Sequence, residues 1–370
     1  MGRKALKQGD PLHPARLLVS AAVSPEEFSK KFIPSITTTP ALPVVDWAAM
    51  GQTAPQPIST PAQLPRADAV VITWAAAEWA AMVHVFCNST AAMPYTKRNE
   101  SSWPGWVKYS DGAPADLGYW GYYRLVQVGK GKVLLFKSNT HYAASQGEQN
   151  LEDLTGRLAA KVKPSLILSI GTAGGTRVTD PVGTVNVVDS DVLYESNQPQ
   201  TSWPSYKSAW KPNWSIIRES SFSKLLLRVP TTAADLASIA TQFNQFYSTN
   251  YPLSVLNPDN LNMAAATPAV NNLAAAGISL VTAKSFVVGN TSGNLQNYAC
   301  VEMDDAVIAQ AASGKAFGSV RNISDPAQNA ALPERLQGNW GEAIYTAYGF
   351  YTSYNGAIAA WALLCAEIGS

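Results

Sequence analysis

Charge is what this sequence has least of. Only 14% of its residues are Asp, Glu, Lys or Arg, against ~25% in an ordinary globular domain. Lys and Arg number 27 and Asp and Glu 26, which leaves a net charge of +1. A chain so balanced has no overall field to hold nucleic acid or an anionic membrane, and neither partner is expected. A disordered chain is also excluded, because 46% hydrophobic residues with 11 Trp, 15 Tyr and 10 Phe supply a large apolar surface to bury.

Cysteine and histidine are scarce. Cys87, Cys300 and Cys365 form neither a disulfide framework nor a Cys-x-x-Cys pair, so the cytosol is the simpler compartment. His13, His84 and His141 are scattered, with no His-Glu-x-x-His and no Cys/His ligand spacing, so no metal site and no cofactor is expected. His84 reads as a packed helix residue, and His141 follows a strand end. No Gly-x-Ser-x-Gly elbow occurs. The opening MGRKALKQGDPLHPARLL has no apolar core of a secretory signal. The longest apolar stretch near the end, GAIAAWALLC (356–365), is about half the ~20 residues a membrane span needs. A soluble, cytoplasmic chain is the expectation.

Length allows two domains, at ~150 residues each, or one large α/β domain with insertions. Residues 1–66 carry SITTTPALP and QTAPQPISTPAQLP, whose prolines break any helical period. They read as an extended Pro/Ser/Thr-rich arm rather than a core element. Folded patterning begins at ADAVVITWA (67–75), an apolar run of the kind a buried strand shows. A helical spacing follows over 77–87, and 122–139 reads as two strands joined by Gly-Lys-Gly. Next come an amphipathic helix at 146–162, a strand at 164–175 running into a glycine turn, and a strand at 182–195. An excursion at about 196–280 is expected to hold helices at 232–247 and about 260–276. Strand 279–290, helix 302–313, strand 316–326 and a long helix from 341 onward complete the chain. Strands alternating with helices predict a three-layer α/β/α domain over 67–370. The aromatic cluster Trp103, Trp106, Tyr119, Trp120, Tyr122 and Tyr123 reads as subunit interface or core.

Polar residues at the ends of apolar strands mark where α/β folds place ligands. They occur at Glu78, at GTAGG (171–175), and in VEMDDA (301–306) with SVRNISD (319–325). Each is unspecific alone. GTAGG fits neither the phosphate-loop nor the dinucleotide spacing. A Glu after a strand is usually a first-turn helix residue favoured by the dipole, and an Asp after Ser is usually a cap.

Together and in this order they resemble the nucleoside phosphorylase/nucleosidase superfamily, on its methylthioadenosine/S-adenosylhomocysteine nucleosidase side. The resemblance runs from about residue 67 to the C-terminus. It is carried by KPSLILSIGTAGGTRVTDPVGTVNVVDS (163–190), CVEMDDAVIAQ (300–310) and VRNISDPA (320–327). It implies a phosphorylase/hydrolase-like fold with a central mixed sheet, a small-molecule nucleoside as ligand, and a homodimer or higher homo-oligomer. Cleaving an N-glycosidic bond passes through an oxocarbenium-like sugar. It requires an acid for the leaving base, a group that activates water, and acceptors for the ribose hydroxyls.

The resemblance assigns the acid to Asp325, next to Ser324, the water-activating carboxylate to Glu78, and the cation beside that water to Arg321. It assigns the ribose grip to Asp304, with Met303 under the sugar and Glu302 at the first acidic position. Thr172 and Gly174 match residues lining the sugar and water, and Phe286 with Val287 matches the segment that stacks on the base. The chain departs from the pattern at four places. Asp304 is one methylene shorter than the family's Glu, Asp305 replaces a small residue, Asn322 replaces Ala, and Trp74 and Trp79 flank Glu78.

The implied function is hydrolysis of a purine (adenine) ribonucleoside. The alternatives are a phosphate-dependent phosphorylase and a catalytically silent nucleoside-binding or storage protein. TWAAAEW (73–79) offers no Arg or Lys to hold a phosphate dianion, which favours water.

Overall fold

The computed structural model describes residues 32–369 apart from 89, 145, 178, 196, 257–267, 285–294, 313 and 328–330. The uninterrupted apolar runs form central strands because a strand lacking polar alternation is stable only when both faces are covered. The elements begin with β1 (Gln56–Pro57), β2 (Ala69–Thr73), α1 (Ala76–Cys87), β3 (Val107–Tyr109), β4 (Gly121–Val128) and β5 (Gly131–Ser138). Then come α2 (Gly147–Val162), β6 (Leu166–Gly175), β7 (Val185–Val188), β8 (Ser190–Leu193) and β9 (Ser205–Lys207). The excursion contributes α3 (Ala233–Tyr247), α4 (Leu253–Leu256), β10 (Val270–Asn272) and α5 (Leu273–Ala276). The chain closes with β11 (Leu280–Thr282), β12 (Val301–Glu302), α6 (Asp305–Ala311), β13 (Ala316–Pro326) and α7 (Glu334–Ile368).

These strands form one mixed sheet with β6 as its hub. β2 runs parallel to its first half, from Ala69↔Leu166 to Ile72↔Ser169, and β13 runs parallel along its whole length. β12 joins it antiparallel at Val301↔Gly174, and β7 lies antiparallel on β13. Helices α1 and α7 cover one face and α2 and α6 the other. The architecture is the layered α/β arrangement expected, with a central mixed sheet.

Several elements differ from the sequence expectation, each for a tertiary reason. The described part of the arm lies against the core of its own chain. Phe32, Leu42, Val45, Trp47 and Met50 are buried, and the Trp47 ring sits 4.5 Å from that of Trp361. The glycines of GTAGG stay in the strand, because β13 pairs with them up to Pro326↔Gly175. The expected strand 182–195 breaks at Asp189 into β7 and β8. The expected helix at about 260–276 falls partly outside the described residues, and its described part is a short strand and one helical turn. Helix α7 starts seven residues before Gly341.

The apolar run at 357–364 is fully buried in α7, so a stretch too short to span a membrane serves as the core helix. No helix among the described residues is long and apolar enough to cross a membrane. The excursion packs on α7. Asn355 accepts from Leu227 N at 2.7 Å and donates to Leu227 O and Gly183 O at 2.9 Å each. In the aromatic cluster, Trp120 and Tyr123 are core residues, and Trp79 stacks on Tyr122 at 5.6 Å.

Candidate active site

Because β2, β6 and β13 are parallel, their carboxyl ends share one edge of the sheet. That edge gathers the polar residues. Helix α1 starts three residues after β2, which puts Glu78 in its first turn, where a carboxylate faces the positive end of the helix dipole. Glu78 Oε2 accepts from Thr73 Oγ1 (2.9 Å), Trp74 N (3.0 Å) and Ala75 N (2.8 Å). Its Oε1 accepts from Thr172 N (2.8 Å) and Thr172 Oγ1 (2.7 Å), which ties the helix to β6.

Arg321 on β13 is buried beside it. Its Nε donates to Asp305 Oδ2 at 2.7 Å, and its Nη2 donates to Asp305 Oδ1 and, at 2.7 Å, to Ser169 Oγ. Nη2 also lies 3.0 Å from Glu302 Oε2. Burial alone would lower the guanidinium's pKa, but Asp305 and Glu302 outweigh it and raise the pKa well above its ordinary value. Its Nη1 has no partner among the described residues and faces the register partner of Arg321, Gly171. A Cβ at Gly171 would come within 2.5 Å of that Nη1 and 2.9 Å of Glu78 Oε1. A side chain at this position would fill the gap between the cation and the carboxylate, which the glycine leaves open.

Glu302 ends β12 and is pinned by its neighbours. Its Oε2 accepts from Asp304 N at 2.7 Å, and Thr282 Oγ1 donates to its Oε1. Burial, then the charge of Asp305, pushes its pKa up to about 7 against the pull of Arg321. Asp304 Oδ1 accepts from Tyr142 N at 2.8 Å, and its Oδ2 makes no hydrogen bond among the described residues. Burial and then Glu302 raise its pKa well above the carboxylate range. Met303 between them is half-buried.

The β13–β6 register slips between Ile323 and Asp325, a bulge that carries Ser324 past its strand partner and pairs Asp325 with Gly174. Bulges next to sites re-aim side chains in this way. Ser324 Oγ donates to Asp325 Oδ1 at 2.5 Å. A Cβ at Gly174 would lie 2.9 Å from the Ala327 methyl, so a larger residue would push that turn away. Phe286 and Val287 lie outside the described residues. The structure therefore brings Glu78, Thr172, Gly174, Glu302, Met303, Asp304, Arg321, Ser324 and Asp325 to one edge. Asn322, on the opposite side of β13 from Arg321, hydrogen-bonds Thr352 Oγ1 of α7 at 2.8 Å and anchors that helix.

Sequence reasoning missed Asp191 and Lys137, and named Trp74 only as a departure beside Glu78. Trp74 lays its indole 5.2 Å from the Arg321 guanidinium and donates from Nε1 to Thr140 O at 3.1 Å. Asp191 on β8 is fully buried and accepts from Ser319 Oγ at 3.3 Å. Burial, then Asp305 and Glu302, holds its pKa well above the carboxylate range. Lys137 is buried at the end of β5, and the charged residue closing the apolar run VLLFK was the signal for it. His84 is a packed residue, its Nε2 2.7 Å from Pro43 O. Among the described residues no group of three His, Cys, Asp or Glu is placed to hold a metal ion.

Solved nucleosidase structures are similar to this chain. S-adenosylhomocysteine nucleosidase from Streptococcus pyogenes is 17% identical, with 81% of this chain and 96% of that one covered at a TM-score of 0.45. The methylthioadenosine/S-adenosylhomocysteine nucleosidase of Neisseria meningitidis is 12% identical over 80% and 97%, with a TM-score of 0.43. Futalosine hydrolase of Helicobacter pylori is 11% identical over 80% and 95%, with a TM-score of 0.41. No protein-family model and no curated protein matches the sequence.

Proposed function

We propose that this chain is a purine nucleosidase, hydrolysing the N-glycosidic bond of an adenine ribonucleoside or its 5′-substituted derivative with water as nucleophile. The observation that carries this reading is the gap over Gly171 that Arg321 Nη1 and Glu78 Oε1 both face. A cationic donor and a carboxylate acceptor facing one small volume suit a water molecule, which donates to one and accepts from the other. Arg321 already neutralises Asp305 and Glu302, so it has little charge to spare for a phosphate dianion.

The remaining groups fit the other demands of the reaction. Asp304 Oδ2 is an acceptor for a ribose hydroxyl. Asp325 pairs with Gly174, three residues beyond Gly171 on β6, or about 10 Å at ~3.3 Å rise per residue. That offset sets Asp325 along the site edge from the gap over Gly171, so that the acid for the leaving base and the water are held by different groups. Asp325 delivers the proton to an imidazole-ring nitrogen of the purine, Glu78 takes one from water, and the developing sugar cation lies near the Glu78 carboxylate. For Glu78 to take that proton, the Thr172 hydroxyl turns off Oε1, because the carboxylate's lone pairs are otherwise occupied. The resemblance further points to a homodimer.

The test is incubation of the purified chain with adenosine, methylthioadenosine, inosine and adenosine monophosphate in phosphate-free buffer, followed by chromatography of free base and sugar. Adenine with free ribose, or its 5′-substituted form, supports the reading. Binding of these ligands without any base release makes the chain a silent nucleoside-binding protein.

A further inference from the structure

Lys137 is a buried charge at the candidate site that the hydrolysis scheme leaves unused. It is the register partner of Thr73 in the parallel β2–β5 pair, and residues paired in register point to the same face. Thr73 directs its hydroxyl to Glu78 Oε2 at 2.9 Å, so the lysine stem runs along the same face toward that carboxylate. The ammonium donates one hydrogen bond, to Ser138 O at 2.8 Å. Its other two N–H groups find no acceptor among the described residues, although the side chain is only 5% exposed. The ammonium makes no ion pair with Glu78 and feels its charge through space; a buried ammonium with open donors is costly unless water or a ligand completes it.

From this geometry we propose that Lys137 is a positioning residue of the nucleosidase site: its charged ammonium fixes the Glu78 carboxylate and, with it, the attacking water. The groups facing it fit that role. Glu78 on α1 is its counter-charge. His141, in the turn after β5, stays a neutral imidazole because burial, and then Lys137 itself, drops its pKa to about 3. Arg321 on β13 approaches Glu78 over Gly171, so the carboxylate has a cation on two strands. Burial pulls the lysine from 10.5 down to about 8, with Glu78 opposing the fall. The ammonium is therefore charged below about pH 8 and neutral above it, and the reaction loses its positioning charge as pH rises through that value.

The proposal rests on the nucleosidase reading for its kinetic arm only. In the first arm, the full chain carrying 13Cε-labelled lysine is titrated by NMR. A lysine signal absent from Lys137→Arg and titrating near pH 8 is expected, and in Glu78→Gln it moves to lower pH because the counter-charge is gone. A Lys137 signal titrating at the ordinary lysine value, or indifferent to Glu78→Gln, overturns the proposal whether or not the chain cleaves nucleosides. In the second arm, kcat/KM for base release falls above pH ~8 in the unmodified chain, and Lys137→Arg, which keeps its charge, carries activity beyond that limit. Lys137→Met lowers kcat/KM by up to roughly a hundredfold, the cost of a misplaced catalytic group. A Lys137→Arg profile that keeps its alkaline fall near pH 8 overturns the positioning role. Absence of base release by the unmodified chain overturns the nucleosidase reading and leaves the NMR result to decide the lysine–glutamate coupling.

Discussion

Arg321 grips Asp305 with two nitrogens, Nε on Oδ2 at 2.7 Å and Nη2 on Oδ1, while Ser169 Oγ donates to the same carboxylate at 2.5 Å. Asp305 is fully buried and committed to the guanidinium. Its neighbour Asp304, one residue earlier, keeps Oδ2 open. Of the two adjacent aspartates, one is an ion-pair partner and the other is placed for a ligand.

Substituting these aspartates therefore gives different phenotypes. Asp305→Ala leaves Arg321 buried without its bidentate partner and is expected to cost about 3–5 kcal/mol of stability, read as a lowered thermal midpoint. Asp304→Ala removes one hydrogen bond, that from Tyr142 N, and should move the midpoint less than Asp305→Ala does. It should weaken ribonucleosides relative to deoxynucleosides by ~1–3 kcal/mol, because the acceptor serves the extra hydroxyl. The reverse assignment of the two effects would place the ribose grip on Asp305.

Asp325→Asn tests the acid. The amide still hydrogen-bonds a purine nitrogen but has no carboxyl proton to give. Turnover should fall by a general-acid factor of ~100 to 10,000 while the ligand dissociation constant changes little. A turnover within threefold of the unmodified chain would remove Asp325 from the mechanism.

The nucleophile can be read from the products. Base release should proceed in phosphate-free buffer at a rate that added phosphate hardly changes, yielding free ribose rather than ribose 1-phosphate. Glu78→Gln keeps the shape of the carboxylate without its basicity and should abolish that rate. Strict dependence on phosphate would make the chain a phosphorylase.

Acid stability follows from Glu302. Its carboxyl is pushed from 4.5 up to about 7, so between those values the folded chain holds a proton that the unfolded chain has released. Stability then falls as pH rises through 4.5 to 7, and the loss is complete above 7, on the order of 3 kcal/mol from this group. Asp304 and Asp191, raised for the same reason of burial, add to the slope in the same direction. Denaturant midpoints measured across this range should show the decline, and Glu302→Gln should flatten it. A midpoint that rises toward pH 7 would contradict the buried, protonated state of the cluster.

Much of the fold was legible because its signals are local. The apolar run at 67–75 and the Gly-Lys-Gly turn within 122–139 name strands without reference to anything distant, and strand 316–326 is recovered at its observed bounds. Glu78, Asp304, Arg321 and Asp325 lie near the ends of apolar runs, and it was the order of their motifs, through the family resemblance, that singled them out. The arm's burial was hidden for the opposite reason. Prolines forbid helix, yet they do not prevent Trp47 from packing on Trp361, three hundred residues away in the sequence.

The sequence by itself determined the main strands and helices, and which polar side chains stand near their ends, because period and composition act over a few residues. Tertiary structure decided which of those side chains meet. Lys137 reaches the site only because β5 pairs with β2 in the register that sets it beside Thr73. Asp305 rather than Asp304 meets Arg321 because α6 brings its first residue against β13. Gly171 is required only because β13 brings a guanidinium across it. Each is a contact between residues distant in the chain, fixed by strand register and helix placement, and no local pattern encodes it.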